Sequence, residues 1–442
     1  ARRGRGDPAR ARGRGAADRL LGRAVDAHVL HGRRHVEDQP ARRRGRVARE
    51  QPRRVGRAAR RAPRDAPRGS PPRTASPAAR PASEKIRVGF LSTNFYNHTV
   101  GKLYRGIIAE LDRTAFEVYV FGGDEGDQIA GFIEGQCDQF YQLPPNLPEA
   151  RNLVEACRLD ILVYADIGLS PLSYFLAFAR LARVQCVGWG HPVTSGLSSI
   201  DYFISSELLE DADIEHAQSY YREKLWRLSL PPTYLYPVQK PVPGIGPDLS
   251  FAGGKTLYVC LQSLFKIHPD FDALLVKVLH LDPDGVCVFI DGQAGWSDIL
   301  MARWQSLDRA IENRVHFLPQ LNQNAFLALI EAADVILDTI FFCGGITSVE
   351  ALSLGTPVVT WPNTRALRAK VTAAYYEEIG VTECIAESAE NYVAIASRLG
   401  TDRAWRDSIS RSIKAQNHLL FKRREVLDEL AHLFKSSLIA NF

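Results

Sequence analysis

The stretch that decides the fold is Phe342-Cys343-Gly344-Gly345-Ile346-Thr347-Ser348-Val349-Glu350-Ala351-Leu352, which closes on Gly355-Thr356-Pro357-Val358-Val359-Thr360. It follows an apolar, strand-like run from Asp334 to Asp338. Two glycines and two hydroxyl residues begin the predicted helix, so backbone N–H groups and the positive end of the helix dipole can approach an anion. One turn further on, Glu350 can accept hydrogen bonds from a sugar diol. The pattern predicts a site for a nucleotide diphosphate with its ribose.

The charge of the chain is divided between two regions of opposite sign. The 442 residues suffice for two or three domains, and a hydrophobic content of 45% allows a large core. Residues 1–84 hold 24 arginines and 8 acids, whereas the remainder holds 31 basic and 42 acidic residues. The body is therefore acidic, and we expect no nucleic-acid partner for it. Because no apolar run reaches membrane-spanning length, we expect no membrane partner either.

Residues 1–84 consist mainly of Arg, Ala, Gly and Pro and contain no Ile, Phe, Tyr or Trp. Such a segment cannot bury enough apolar area to offset the entropy of ordering, so it is predicted to be disordered. Three interpretations remain open: an arginine-rich arm for nucleic acid or an acidic partner, low-complexity sequence without a fold, and a GC-rich gene translated out of frame. The composition favours the last two.

The seven cysteines are scattered and include no Cys-x-x-Cys pair. This distribution predicts free thiols in a reducing cytoplasm and gives no metal-ligand spacing. Two Asp-x-Asp pairs, Asp211-x-Asp213 and Asp282-x-Asp284, have the spacing of metal-binding carboxylates. We interpret both as loops, since the second pair forms an Asp-Pro-Asp-Gly turn. No obligatory metal is expected.

Strand-like and helix-like runs alternate from Lys85 onward, which predicts parallel, doubly wound sheets. A Pro-rich join near residues 231–247 separates two such halves, and three helices close the chain. The predicted division is a first domain at 85–237, a second at 238–400 and helices packing back on both at 401–442. Among the helices, three are predicted at Pro171–Leu181, near Asp298–Ile311 and at Arg365–Ile379.

Polar residues follow the predicted strands where their carboxyl ends meet a shared cleft, the usual ligand position in open α/β sheets. In the first half they include His98, Asp166 and His191. In the second half they are Gln262, Ser263, Lys266, the stretch 319–322 and the glycine turn.

Four of these residues are candidates for catalysis, each with a plainer alternative. Lys266 can neutralise a diphosphate leaving group, or be a solvated surface lysine. His98 and His191 can orient or deprotonate an acceptor, or be structural. Asp166 can act as a base, or cap the following helix.

Together these motifs resemble glycosyltransferase family 41, the family of O-GlcNAc transferase, the SPINDLY proteins and the bacterial cytoplasmic N-glucosyltransferases. The resemblance spans 86–437. Its matching stretches are Arg87–His98, Gly190–Gly196, Ile200–Tyr202, Tyr220–Leu225, Leu264–Pro269, Ala333–Asp338 and the opening motif through Thr360.

The resemblance implies a GT-B fold: two Rossmann-like domains facing a cleft, followed here by the helical tail. It also implies a UDP-sugar donor (GDP-fucose in SPINDLY members), a protein acceptor, and inversion without a metal. By the resemblance, Lys266 contacts the diphosphate and Glu350 the ribose. The phosphate loop corresponds to Gly344, Gly345, Ile346, Thr347 and Ser348, and the uracil-reading stretch to Gln320, Leu321 and Asn322. His98 and His191 correspond to acceptor-side or sugar-side positions.

The sequence departs from the family pattern in two places. The phosphate turn lacks the histidine and the extra residue of the O-GlcNAc branch, and is more similar to the bacterial branch, with Ile346 where asparagine is common. The sugar therefore stays open between GlcNAc, glucose and fucose. Tetratricopeptide repeats, which usually precede this region, are also missing from the sequence.

The expected function is transfer of a hexose or N-acetylhexosamine from a UDP-sugar to a Ser, Thr or Asn side chain of a protein. The alternatives are a GT-B enzyme acting on a glycan, lipid or small molecule, and a catalytically inactive binding module with a basic arm.

Overall fold

The computed structural model describes residues 84–440, which form two parallel β-sheets flanked by helices. The two-sheet α/β architecture expected from the alternation is confirmed. Disorder was predicted for residues 1–84, with three interpretations of that segment. Residues 1–83 lie outside the described residues, so these predictions are not addressed by the structure.

The first lobe is built on a seven-stranded sheet with the order β3-β2-β1-β4-β5-β6-β7. Its strands are β1 (Ile86–Leu91), β2 (Phe116–Gly122), β3 (Gln139–Gln142), β4 (Leu159–Tyr164), β5 (Ala182–Val187), β6 (Tyr202–Ser206) and β7 (Lys224–Leu228). Its helices are α1 (Thr99–Glu110), α2 (Gln128–Gln136), α3 (Leu147–Ala156), α4 (Pro171–Leu176) and α5 (Ile214–Gln218). The strand order reverses between β1 and β4, which opens a crevice beyond the carboxyl ends of those strands.

The second lobe is built on a five-stranded sheet with the order β10-β9-β8-β11-β12. Its strands are β8 (Leu257–Cys260), β9 (Val286–Asp291), β10 (Val315–Pro319), β11 (Val335–Leu337) and β12 (Val358–Val359). Its helices are α6 (Pro269–Leu281), α7 (Trp296–Gln305), α8 (Gln323–Ala332), α9 (Ile346–Leu354), α10 (Val371–Ile379), α11 (Ala389–Thr401) and α12 (Arg403–Gln416). The strand order reverses between β8 and β11, so the residues that follow these two strands share one crevice.

The central strands are buried on both faces, as parallel strands covered by helices must be. Every residue of β4 and of β8 is buried. Their continuous apolar runs, rather than an alternating pattern, follow from this burial. The strands therefore form a rigid base from which the connecting turns project.

The C-terminal helix α13 (Arg424–Ala440) returns to the first lobe. The carboxylate of Glu429 accepts a hydrogen bond from the backbone N–H of Ser229 at 2.8 Å. The ring of Phe434 packs edge-on against Phe116, with ring centroids 6.0 Å apart. The predicted helical tail is confirmed.

Two pairs of oppositely charged side chains join the two lobes. Lys102 on α1 contacts Glu350 on α9 at 2.8 Å. Asp211, just before α5, contacts Arg365 of the second lobe at 2.7 Å. The Asp211-x-Asp213 pair is thus a loop, as expected, in which Asp213 caps α5.

The predicted helix Pro171–Leu181 ends at Leu176, because a side chain from the next strand takes over its backbone groups. The amide of Gln185 donates to the carbonyl of Ala179 at 3.1 Å and accepts from the backbone N–H of Leu181 at 2.8 Å. The chain can then turn directly into β5.

Two further helix predictions were too long for similar reasons. The predicted helix Asp298–Ile311 stops at Gln305, and Asp308 then caps a separate 3-10 turn. The predicted helix Arg365–Ile379 begins only at Val371, because the carbonyl of Arg368 accepts from the backbone N–H of Cys343 instead. Strand β7 and helix α5 were not predicted, since both are short and partly exposed.

None of the helices within residues 84–440 has the length and apolar character needed to cross a membrane.

We expect alanine to have opposite effects at two helical glycines of the first lobe. A Cβ at Gly106 would lie 2.0 Å from the carbonyl oxygen of Tyr234, whereas a Cβ at exposed Gly131 would have no neighbour within 4 Å. Gly106→Ala should therefore lower the free energy of unfolding by about 1–3 kcal/mol through overpacking. Gly131→Ala should raise it by about 0.5–1 kcal/mol through helix propensity. Urea unfolding measures the free energy of unfolding of both variants. Equal effects would contradict the close packing of α1 on Tyr234 in the Pro-rich join.

Candidate active site

The glycine turn between β11 and α9 is fixed by a buried carboxylate. The backbone N–H of Gly344 donates to Asp338 Oδ1 at 2.8 Å. Asp338 Oδ2 accepts from the hydroxyls of Thr360 at 3.0 Å and Thr372 at 2.6 Å. Burial raises the pKa of Asp338, an effect opposed by these hydrogen bonds. The turn that was predicted to hold phosphate therefore has a defined geometry.

The two glycines of this turn have different surroundings. A Cβ at Gly344 would lie 2.2 Å from Ser348 Oγ and 2.8 Å from Thr347 Oγ1, so packing excludes a side chain there. A Cβ at Gly345 would meet no atom within 4 Å. Gly345 is thus the open side of the turn, where a ligand can approach the backbone.

Lys266 is joined to the start of α9 by a chain of hydrogen bonds. It ends the 3-10 turn Leu264–Lys266, which follows β8. Its Nζ donates to Gln262 Oε1 at 2.9 Å, and Gln262 Nε2 donates to Thr347 Oγ1 at 2.9 Å. Nζ also lies 4.2 Å from the ring centroid of Phe342. Lys266 is half-buried and is not a fully solvated surface lysine, because its ammonium packs over Phe342 and against Gln262; desolvation lowers its pKa.

A cavity of about 160 Å³ lies between the lobes at this point. Seven of the residues predicted to bind the donor line it: Gln262, Ser263, Lys266, Gly344, Gly345, Ile346 and Thr347. Ser348 does not line it, and its hydroxyl pairs with that of Thr372 at 2.8 Å. The crevice thus brings the predicted diphosphate residues together, although their roles remain predictions.

Other residues in the lining of this cavity were not predicted, among them Thr99, Trp189 and Arg368. Thr99 and Trp189 lie one and two residues from His98 and His191, so adjacency to these candidates was an available signal. Arg368 gave no signal, because its position falls inside a predicted helix. Within residues 84–440, no group of three or more His, Cys, Asp or Glu side chains is arranged to hold a metal ion.

Glu350 does not line this cavity but a larger one of about 650 Å³ beside it. Its side chain is buried, and Oε1 accepts from Lys102 Nζ at 2.8 Å and from Gln323 Nε2 at 2.9 Å. Lys102 also donates to Gln323 Oε1 at 2.8 Å. We refer to Lys102, Gln323 and Glu350 as the cross-lobe bridge. The ribose role of Glu350 stays a prediction, and its carboxylate already has two donors.

The predicted uracil-reading residues lie at the end of β10. Asn322 caps α8, since its Oδ1 accepts from the backbone N–H of Ala325 at 3.0 Å. None of Gln320, Leu321 and Asn322 lines either of the two cavities described here. Their assignment to the nucleobase stays a prediction from the resemblance.

His98 caps helix α1, where its Nδ1 accepts from the backbone N–H of Val100 at 3.2 Å. Burial, reinforced by the nearby Lys102 ammonium, lowers the pKa of His98, so its ring is neutral at pH 7. Because Nδ1 is an acceptor, the single ring proton is assigned to Nε2. In this tautomer His98 can donate a hydrogen bond from Nε2 but cannot accept a proton there.

His191 packs on the chain that follows β4. A Cβ at Gly168 would lie 2.7 Å from the His191 ring carbon Cδ2, which shows how closely the two approach. Burial, together with the positive charge of Arg368, lowers the pKa of His191. The flanking residues Gly190 and Pro192 line the smaller cavity, so this loop borders the predicted diphosphate site.

Asp166 is fully buried after β4 and does not cap a helix, since the N-cap of α4 is Ser170. Its Oδ2 accepts from Ser92 Oγ at 2.8 Å and from Asn94 Nδ2 at 2.6 Å. Its Oδ1 has no hydrogen-bond partner among residues 84–440. Burial raises the pKa of Asp166 to about 6. The alternative of a helix cap is therefore wrong.

We expect the stability of the protein to depend on the ionisation of Asp166. Its pKa rises from 3.8 in the unfolded chain to about 6 in the fold, so the folded state binds more protons between these values. As pH increases through this window, the unfolding free energy of the wild type should fall by about 3 kcal/mol relative to Asp166→Asn. The asparagine amide oxygen can still accept from Ser92 and Asn94.

Urea unfolding between about pH 4 and pH 7 measures this difference. Asp298→Asn, at an exposed carboxylate on α7, is the matched control and should give a constant offset. A pH-independent difference between the wild type and Asp166→Asn would refute the assigned burial of this carboxylate.

Comparison with known proteins agrees with the motif resemblance. A family model described as glycosyl transferase family 41 matches residues 70–235 and 251–429. A probable UDP-N-acetylglucosamine–peptide N-acetylglucosaminyltransferase SPINDLY from Hordeum vulgare is 23% identical over 346 residues, which are 75% of this chain and 36% of the relative. A probable UDP-N-acetylglucosamine–peptide N-acetylglucosaminyltransferase SEC from Arabidopsis thaliana is 22% identical over 314 residues. These are 66% of this chain and 31% of the length of the relative.

The chain thus spans about a third of the length of the curated relatives it matches. Among solved structures, a point mutant of the Thermobaculum terrenum O-GlcNAc transferase superposes with a TM-score of 0.73 at 26% identity. This match covers 84% of the present chain and 71% of the other, and it confirms the expected GT-B fold. The family model covers most of the sequence, and the chain therefore belongs to glycosyl transferase family 41.

Proposed function

We propose that this chain is a metal-independent, inverting glycosyltransferase that moves a hexose or N-acetylhexosamine from a UDP-sugar to a protein side chain. The observation that carries the proposal is the chain of hydrogen bonds from Lys266 through Gln262 to Thr347. It joins the half-buried Lys266 to the glycine turn and the start of a helix, at a cavity between two lobes. These are the groups that recognise a diphosphate.

In the proposed reaction, an acceptor hydroxyl or amide attacks the anomeric carbon on the face opposite UDP. The new bond to the acceptor forms while the bond from the anomeric carbon to the phosphate oxygen breaks, and its electron pair leaves with UDP. A single in-line displacement inverts the anomeric centre. Lys266, the N–H groups of the turn beyond Gly344 and the dipole of α9 stabilise the charge that develops on UDP.

The acceptor also has to lose a proton. His98 is a hydrogen-bond donor at Nε2 in its assigned tautomer, so we propose that it orients the sugar or the acceptor. The pKa of His191 is lowered, so its ring is neutral at pH 7. The carboxyl group of Asp166 has a pKa of about 6, and its Oδ1 is buried without a hydrogen-bond partner among residues 84–440. These two residues are our candidates for receiving the proton, directly or through water.

The names of the relatives support N-acetylglucosamine as the sugar and a peptide side chain as the acceptor. We therefore propose UDP-N-acetylglucosamine as the first donor to test and UDP-glucose as the second. The seven cysteines are all free thiols, which supports a reducing cytoplasmic location. Incubation of the chain with labelled UDP-sugars, EDTA and cell lysate tests donor, metal and acceptor together: label on protein supports the proposal, and label only on glycan or lipid contradicts it.

Removal of the Lys266 ammonium should abolish most donor recognition. We expect Lys266→Ala to weaken UDP binding by about 10–100-fold, the loss of a charged hydrogen-bond partner, and to reduce turnover by at least as much. Isothermal titration calorimetry with UDP and GDP measures the affinity and the base preference. Lys277→Ala, at an exposed lysine on α6, is the matched control and should bind as the wild type does. Unchanged binding or turnover in Lys266→Ala refutes the assignment.

The affinity for UDP should also depend on pH through Lys266. Because burial lowers the pKa of this ammonium, the neutral amine forms at a lower pH than in an ordinary lysine. UDP affinity should therefore fall as pH rises through this lowered pKa. Lys266→Arg keeps its charge and should lack this fall, and comparing the two proteins with the same ligand cancels the titration of the uracil ring. Parallel pH profiles would contradict a role for the Lys266 charge.

A further inference from the structure

We propose that Arg368 is the second cation of the diphosphate pocket and contacts the sugar-proximal phosphate of the donor. This inference deepens the proposed function and rests on it. Arg368 lies outside the recognised motifs. By this inference it is the residue that discriminates a nucleoside diphosphate from a nucleoside monophosphate.

Arg368 lines the same cavity of about 160 Å³ as Lys266 and the glycine turn. Arg368 is half-buried, and its side chain has no hydrogen bond or ion pair with any residue of the described range 84–440. An arginine side chain has five N–H donors in a fixed planar arrangement, which suits two oxygens of one phosphate. Arg368 thus presents unused donors to a cavity that already holds one ammonium.

The backbone holds Arg368 in register with the phosphate turn. It is the middle residue of the 3-10 turn Leu367–Ala369. Its carbonyl accepts a hydrogen bond from the backbone N–H of Cys343 at 2.8 Å, and Cys343 immediately precedes Gly344. On the C-terminal side, Thr372 donates to Asp338, the carboxylate that fixes the same turn. Arg368 therefore keeps its position relative to the glycines.

The charges around the cavity favour a dianionic ligand. Lys266 and Arg368 both line it, and no Asp or Glu is among its lining residues. The carboxylate of Asp338 acts electrostatically on Lys266, but its oxygens already accept hydrogen bonds from Gly344, Thr360 and Thr372. Each phosphate of a diphosphate ester is negatively charged, so two cations without a local counter-ion match its two phosphates.

The position of His191 indicates which phosphate Arg368 reaches. Arg368 lines the cavity together with Gly190 and Pro192, which flank His191 on the first lobe, and its positive charge contributes to the lowered pKa of His191, so its guanidinium lies near the wall that the first lobe supplies. Lys266 contacts residues of the second lobe instead, with its ammonium over Phe342 and bonded to Gln262. In the proposed function the sugar and the acceptor occupy the first-lobe side. Arg368 is therefore placed at the phosphate that carries the sugar.

The test compares binding of UDP, UMP, uridine and inorganic pyrophosphate to the wild type, Arg368→Met and Arg368→Lys by calorimetry. Arg368→Met should weaken UDP and pyrophosphate binding by about 10–100-fold and UMP binding by less than about threefold. Arg368→Lys should show an intermediate loss of UDP affinity, because it keeps the charge but not the paired donors. Arg309→Met, at an exposed arginine in the turn after α7, is the control and should leave all four affinities unchanged.

A second measurement separates this role from a loss of folding. Arg368 lowers the pKa of His191, so the NMR titration of the His191 ring in unliganded, folded Arg368→Met should shift to higher pH. Equal UDP affinity in the wild type and Arg368→Met overturns the inference and leaves the proposed function intact. If pyrophosphate binding depends on Arg368 but UDP binds no more tightly than pyrophosphate, the inference is supported and the proposal of a UDP-sugar donor is overturned. Absence of binding by both UDP and pyrophosphate overturns both.

Discussion

The geometry of the site depends on one buried carboxylate. Asp338 receives hydrogen bonds from the Gly344 backbone and from the hydroxyls of Thr360 and Thr372, while its own backbone carbonyl accepts from the hydroxyl of Tyr392 at 2.9 Å. These partners belong to the glycine turn, the end of β12, α10 and α11. A single residue thus joins four parts of the second lobe. The backbone N–H groups of the turn are held in place before a ligand arrives, and this removes the reorganisation cost that weakens a flexible anion site.

Much of the fold could be predicted from the sequence because its strands are buried on both faces. Continuous apolar runs such as Leu159–Tyr164 are visible without knowledge of their neighbours, and parallel strands need helices between them. The predicted donor residues came together for a similar reason. Gln262 and Lys266 follow β8, the glycine turn follows β11, and these two strands are adjacent. Position after a strand was therefore sufficient to predict that these residues share one crevice.

The remaining features depend on contacts between distant residues, which local patterns do not encode. Asp338 was recognised only as the end of a strand, since its hydroxyl partners lie 22 and 34 residues further on. Arg368 was assigned to an α-helix, but its carbonyl accepts a hydrogen bond from Cys343, and the α-helix begins only at Val371. Helix α4 was predicted too long because Gln185, which bonds the backbone carbonyl of Ala179 in its place, lies on β5. In each case a side chain or a backbone group from elsewhere overrides a local preference.

The cross-lobe bridge couples occupancy of the Glu350 carboxylate to the contact between the two lobes. Glu350 lies on the second lobe, and its carboxylate is shared between Lys102 of the first lobe and Gln323 of its own. Any hydroxyl that bonds the same oxygen has to compete with a full positive charge, or share the carboxylate with it. Occupancy of that position and the separation of the lobes are therefore linked equilibria. A molecule that displaces Lys102 from Glu350 removes one of the contacts that join the two lobes, and one that leaves this contact in place keeps them joined.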